Sequence, residues 1–175
     1  MNVRNVIISF LLVTGISAKA QPFADAVSYN DYVVNIQTTI AVALNEFNQS
    51  ILVEGSTRET VEPFYNNLIT VTNNSLSLIK AMPAYNGDST LRDAASELFE
   101  FYHSCFTNEY ATVMTIVFDP NMTMDDYNRM NNILTDVSTR ESVFDLSFQT
   151  AQYLFAIKNG FTLEENEMQK TIDNN

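Results

Sequence analysis

Apolar residues recur every three or four positions through nearly all of this chain, and only four glycines and four prolines interrupt its 175 residues. That spacing gathers apolar side chains on one face of a helix. So few turn residues leave little room for long irregular regions. The expected fold class is all-α.

Four long helical segments follow from the pattern. The first runs from about Asp25 to Val53, with Tyr29, Val33, Ile36, Ile40, Ala43 and Phe47 as its stripe and Gly55 at its end. The second, to about Ala81, carries Val61, Phe64, Leu68, Val71, Ser75, Leu78 and Met82. Pro63 removes a backbone donor and would kink a helix interior, so a start near Val61 with Thr60 as cap is expected. The third begins at Asp88 or Ser89 and continues unbroken to about Phe118, with Leu91, Ala95, Leu98, Tyr102, Cys105, Val113 and Ile116 in its stripe. Thr123 caps the fourth, which places Met130, Leu134, Val137, Phe144, Phe148, Ala151 and Phe155 on one side and ends at Asn159-Gly160. A short tail helix is expected from Thr162-Leu163-Glu164-Glu165. Short breaks between long amphipathic helices favour antiparallel neighbours, which predicts an up-down-up-down four-helix bundle.

Residues 1–20 read as a secretory signal peptide. Arg4 supplies the positive start, Val6 to Ile16 a short apolar run, and Ala18-Lys19-Ala20 a small-x-small cleavage site. The run is shorter than the roughly 20 apolar residues that span a bilayer. The expectation is an exported protein, periplasmic, cell-surface or extracellular, whose single domain covers 21–175 with no transmembrane span. Cleavage removes two of the nine cations and none of the 21 acids, leaving a net charge of about −14. Such a surface is wrong for nucleic acid, whose phosphates need Lys and Arg. It is equally wrong for docking on anionic lipid.

Candidate chemistry is sparse. Cys105 is the only cysteine, so no intrachain disulfide can form, and its setting among Phe101, Tyr102 and Phe106 suits a buried thiol. Glu100-Phe101-Tyr102-His103 matches half of a di-iron bundle motif, but His103 is the only histidine. Asp119 to Asp125 alternates oxygen ligands as a calcium loop does, yet Met124 and Met130 stand where the glycine and the closing glutamate belong. No cofactor, metal site or catalytic constellation is expected, and the chain reads as a non-enzyme.

Two features remain. Glu109 and Glu141 sit on the apolar stripes of neighbouring helices, with Arg140 at hand. They form a buried polar layer or line a cleft, or else the stripes drift and both acids reach solvent. The aromatic run of Phe99, Phe101, Phe106 and Tyr110 exceeds what one stripe requires. Most of it suits a core, and the excess is a candidate interaction patch.

Tyr29-Asn30-Asp31-Tyr32-Val33-Val34, Pro83-Ala84-Tyr85-Asn86-Gly87-Asp88, and Leu91-Arg92-Asp93-Ala94 leading to Phe99-Glu100-Phe101-Tyr102 resemble a family of small exported helical surface proteins of Leptospira and Bacteroidetes-type bacteria. The resemblance covers most of the chain after residue 20. It implies export, an envelope or extracellular setting and a helical bundle, and it carries no activity or catalytic residue. The expected function is an envelope or surface interaction module with a protein partner. The alternative is a periplasmic or extracellular carrier of a small ligand or cation, bound between helices near Glu109 and Glu141.

Overall fold

The computed structural model describes residues 23–163, in four long helical runs of which the third is broken in two. The signal peptide read at 1–20 and the tail helix read at Glu164-Glu165 lie outside the described residues. In order the helices are α1 (Ala26–Leu52), α2 (Arg58–Ala81), α3 (Thr90–Thr107), α4 (Glu109–Val117) and α5 (Met124–Asn159). Among the described residues there is no strand, and no helix is long and apolar enough to cross a membrane.

Local chemistry sets most boundaries. Asp25 caps α1 by accepting from the Ser28 amide at 2.8 Å. Every residue of the expected α1 stripe, from Tyr29 to Phe47, is buried. Asn86 and Gly87 take positive φ (49° and 83°), as a tight two-residue reversal requires. Tyr85 and Asp88 close that turn with backbone bonds of 2.9 and 2.8 Å. Thr123 and Asp126 form a capping box at the start of α5, and Gly160 ends it at φ 73°.

Two expectations are corrected. Helix α2 starts at Arg58, not Val61, because Thr57 and Thr60 cap each other and satisfy two orphan donors (2.9 and 3.4 Å). Pro63 therefore stands inside the helix, where Glu59 loses its usual donor. Glu59 and Pro63 are both exposed, so water can take that place. The buried face of α2 is also rotated from the expected stripe. Val61, Leu68, Thr72, Ser75 and Ile79 face the core, while Phe64 and Leu78 are 42% and 49% exposed. Thr72 can be buried because its hydroxyl donates to the Leu68 carbonyl at 2.8 Å.

The third helical run is not continuous. Asn108, at φ −113° and ψ −67°, separates α3 from α4. Thr107 Oγ1 donates to the His103 carbonyl at 2.7 Å, and Asn108 Nδ2 donates to that of Ser104 at 2.9 Å. The Asn108 amide keeps its own bond to the Ser104 carbonyl at 3.0 Å, so that carbonyl is shared between backbone and side chain.

Long-range bonds fix which ends meet. The Tyr65 hydroxyl, early in α2, donates to the Phe106 carbonyl late in α3 at 2.6 Å. Lys158 near the end of α5 bonds Asp88 just before α3 at 2.6 Å, and Gln152 reaches Asn30 of α1 at 2.9 Å. At this end the rings of Tyr29, Tyr85 and Phe155 pack with centroids 5.4–5.5 Å apart. Tyr110 of α4 meets Phe47 of α1 at 6.0 Å.

Candidate functional site

The break at Asn108 leads directly into Glu109, the first residue of α4. Its Oε1 accepts from Arg140 Nη2 of α5 in a short ion pair. Arg140 Nε stands 3.0 Å from Asp136 Oδ2, one turn back, an approach too oblique for a hydrogen bond. The guanidinium also lies 5.5 Å over the Phe101 ring and 3.9 Å from Cys105 Sγ. Phe101 in turn stacks on Phe144 at 4.7 Å. The result is one cation packed against aromatic surface and shared by two carboxylates.

Exposure decides the nature of this cluster. The side chains of Glu109 and Arg140 are 25% and 40% exposed, so the pair is half-buried rather than sealed. Glu109 Oε2 nevertheless touches no solvent and no hydrogen-bond partner. Other parts of Glu109 line a groove of about 500 Å³, with Asp125, Arg129 and Asp136.

Glu141 belongs to a different contact. It points to Tyr102 of α3, and burial raises its carboxyl above the ordinary 4.5, with the Tyr102 hydroxyl pulling the other way. Burial also raises the Tyr102 hydroxyl, with the Glu141 and Asp145 charges adding to it. Thus Glu109 and Arg140 come together, while Glu141, next to Arg140 in sequence, turns inward to a tyrosine. Adjacent residues of a helix lie about 100° apart, which separates the two contacts.

The aromatic run of α3 and α4 supplies core, not surface. Phe99, Phe101 and Phe106 are buried, and Tyr110 is half-buried against Phe47 and Phe106. The patch read on these four residues is corrected accordingly. The break at Asn108 lets Tyr110 fill space toward α1. Cys105 is 1% exposed, and desolvation pushes its thiol up to about 11. In the calcium-like loop Asp119 accepts from the Asn121 amide at 2.8 Å, and Thr123 is engaged in the cap with Asp126, just past the loop. Among the described residues no three His, Cys, Asp or Glu side chains group closely enough to hold a metal ion.

The exposed apolar surface is elsewhere. Val143, Leu146, Tyr153, Leu154 and Ile157 of α5 are each 54–66% exposed. On the other side of the same stretch Phe148, Ala151 and Phe155 enter the core. Helix α5 is thus apolar on two nearly opposite faces. Between its outer face and α3 runs a groove of about 630 Å³, with Leu146, Ala151 and Leu154 on one wall and Asp93 and Glu97 on the other. A readable signal was present: 143, 146, 150, 154 and 157 also keep helical spacing, one register beside the stripe assigned to the core.

No family model, curated protein or solved structure matches this chain.

Proposed function

We propose that this chain is an exported, non-enzymatic interaction module of a bacterial envelope or surface, which docks a protein partner on the outer face of α5. The observation that carries the reading is the second apolar face of α5. A surface helix normally presents one apolar stripe to its own core, and a contiguous exposed patch marks an interaction site. We read the architecture as an up-down-up-down four-helix bundle, which the end-to-end pairings of α1 with α5, α2 with α3 and α3 with α5 support. The residue 1–20 pattern supports export, and the resemblance of the Tyr29–Val34 and Pro83–Asp88 segments supports the surface setting.

Site-specific photo-crosslinking in the native host tests the docking reading. A crosslinking residue at Leu146 is expected to give a discrete protein adduct, whereas one at exposed Asn66 on α2 gives none. Equal labelling at both positions, or none at either, overturns it. Mass spectrometry of the same protein checks that the chain begins at Gln21.

A second reading, a carrier of a small ligand or cation, draws on one observation: Glu109 Oε2 is solvent-free and unpartnered beside the α4–α5 groove. Native mass spectrometry of protein from its host separates the two. Extra mass lost on denaturation favours the carrier.

A further inference from the structure

The outer face of α5 is symmetric about Thr150. Val143 and Ile157 lie seven residues to either side of it, Leu146 and Leu154 four, and Ser147 and Tyr153 three. At about 100° per residue all of them project within roughly 60° of the Thr150 direction. The stripe is about 21 Å long at about 1.5 Å per residue. It is bounded by polar Asp136 and Thr139 toward the start of the helix and by Gly160 at its end.

Apart from Ser147 and Tyr153, the stripe carries like residues at equal distances from Thr150, so a two-fold axis there brings apolar side chains onto apolar side chains. If two α5 helices lie antiparallel with their Thr150 residues at the crossing, Val143 meets the partner's Ile157. Leu146 meets the partner's Leu154, and the same contacts recur on the other side of the axis. That is the isologous interface of a two-fold dimer, in which one patch serves both subunits.

The area of the face agrees with this occupant. The five exposed apolar side chains offer roughly 500 Å² per copy, so a symmetric pair buries roughly 1,000 Å², the lower bound for a specific interface. The chain as a whole carries a net charge of −12, which sets copies against each other. Between Val143 and Ile157 the only charged residue is Asp145. It is half-buried, accepts from Gln149 at 2.6 Å, and lies well round the helix from the stripe. Within α5 this is the stretch that carries least charge, and Asp93 and Glu97 of α3 stand on the other wall of the groove beside it.

We propose that a second copy of this chain covers the outer face of α5, through antiparallel α5 pairing centred on Thr150. The inference rests on reading that face as a docking surface and names its occupant.

Sedimentation velocity of the purified full chain across the micromolar range is the first test. The expected species has twice the mass of one chain, read from the same sample in denaturant. Leu146→Glu is expected to weaken dimerisation at least about tenfold, as loss of a central apolar anchor does. The register gives a sharper readout. Leu146→Lys combined with Leu154→Glu places opposite charges together across the axis twice and is expected to restore dimers. Leu146→Glu with Leu154→Glu is expected to leave monomers. Thr150→Cys on the axis is expected to form a disulfide dimer under mild oxidation, with buried Cys105 inert. All these positions are exposed, and an unchanged circular dichroism spectrum excludes misfolding as the cause. A wild-type monomer at every concentration, with no Thr150→Cys crosslink, overturns self-pairing. If photo-crosslinks from Leu146 then join a different protein, such as one presenting a cationic helix, self-pairing is overturned and the docking reading stands. If Leu146 gives no adduct at all, both fall.

Discussion

Arg140 of α5 holds Glu109 at the first turn of α4 across the break that divides α3 from α4. The pair joins the buried Val113, Met114 and Ile116 in holding the nine-residue α4 in place. Removing Arg140 leaves a half-buried carboxylate whose second oxygen already lacks a partner. A pair of this exposure lies between surface and buried ion pairs in strength, so Arg140→Met is expected to cost about 1–2 kcal/mol. Arg140→Met with Glu109→Leu is expected to recover most of that loss, because no uncompensated charge remains. A double-mutant cycle in urea checks it, and additive effects would remove the pair as a determinant.

The pH dependence of stability is expected to have two opposed limbs. Burial raises the Glu141 and Asp145 carboxyls above their ordinary 4.5 and 3.8. The folded chain then binds these protons more tightly than the unfolded one. Their contribution is greatest below the unfolded values and is lost as pH rises through the folded ones. Asp88 behaves oppositely: Lys158, then the Thr90 amide, holds it at about 2. Its contribution is present above 3.8 and is lost as pH falls toward 2. Glu141→Gln is expected to flatten the decline above pH 4.5, and Lys158→Ala the acid limb. Urea midpoints measured across pH decide, and unaltered slopes in both variants would refute the assignment.

Cys105 is expected to be inert in the native state. Its thiol is pushed up to about 11 by desolvation and then by the Glu109 charge, and its side chain is sealed. A thiol reagent should label it only as denaturant unfolds the chain. Native-state labelling as fast as that of the unfolded chain would contradict this packing.

The rotated face of α2 gives a direct comparison. Leu68→Ala at a fully buried position is expected to cost about 2–5 kcal/mol. Phe64→Ala, though it removes a larger side chain, is expected to cost about 1 kcal/mol or less, because Phe64 is 42% exposed. Denaturant midpoints of the two variants test the order, and a reversed order would return Phe64 to the core-facing side.

The long-range bond of Tyr29 is expected to matter on a smaller scale. Its hydroxyl donates to the Pro83 carbonyl at 3.0 Å and joins the start of α1 to the end of α2. Tyr29→Phe keeps the buried ring and removes the donor, which is expected to cost about 1 kcal/mol. A thermal melt with no shift would show that water replaces the bond.

The sequence by itself determined the helices of this protein and most of their ends. The α1 stripe, the Asn86-Gly87 reversal, the Thr123 cap and the Gly160 stop are local chemistry, written within three or four residues of where they act. It also determined that Glu109 and Glu141 lie on apolar stripes. Tertiary structure decided what the local pattern leaves degenerate. On α2 it kept Val61, Leu68, Ser75 and Met82 of the expected stripe inside but put Thr72 and Ile79 there in place of Phe64 and Leu78, because burial depends on where the neighbouring helices lie. It broke the third helix at Asn108, although side-chain bonds to a carbonyl one turn back, like those of Thr107 and Asn108, also occur at Thr72 and Ser77 inside unbroken α2. It sent Glu109 to Arg140 and Glu141 to Tyr102, although Arg140 and Glu141 are adjacent in sequence. It also put the aromatic run of α3 inside and left Val143, Leu146, Leu154 and Ile157 outside. Both registers of α5 are apolar, and periodicity alone cannot say which of two apolar faces a helix turns toward its own core.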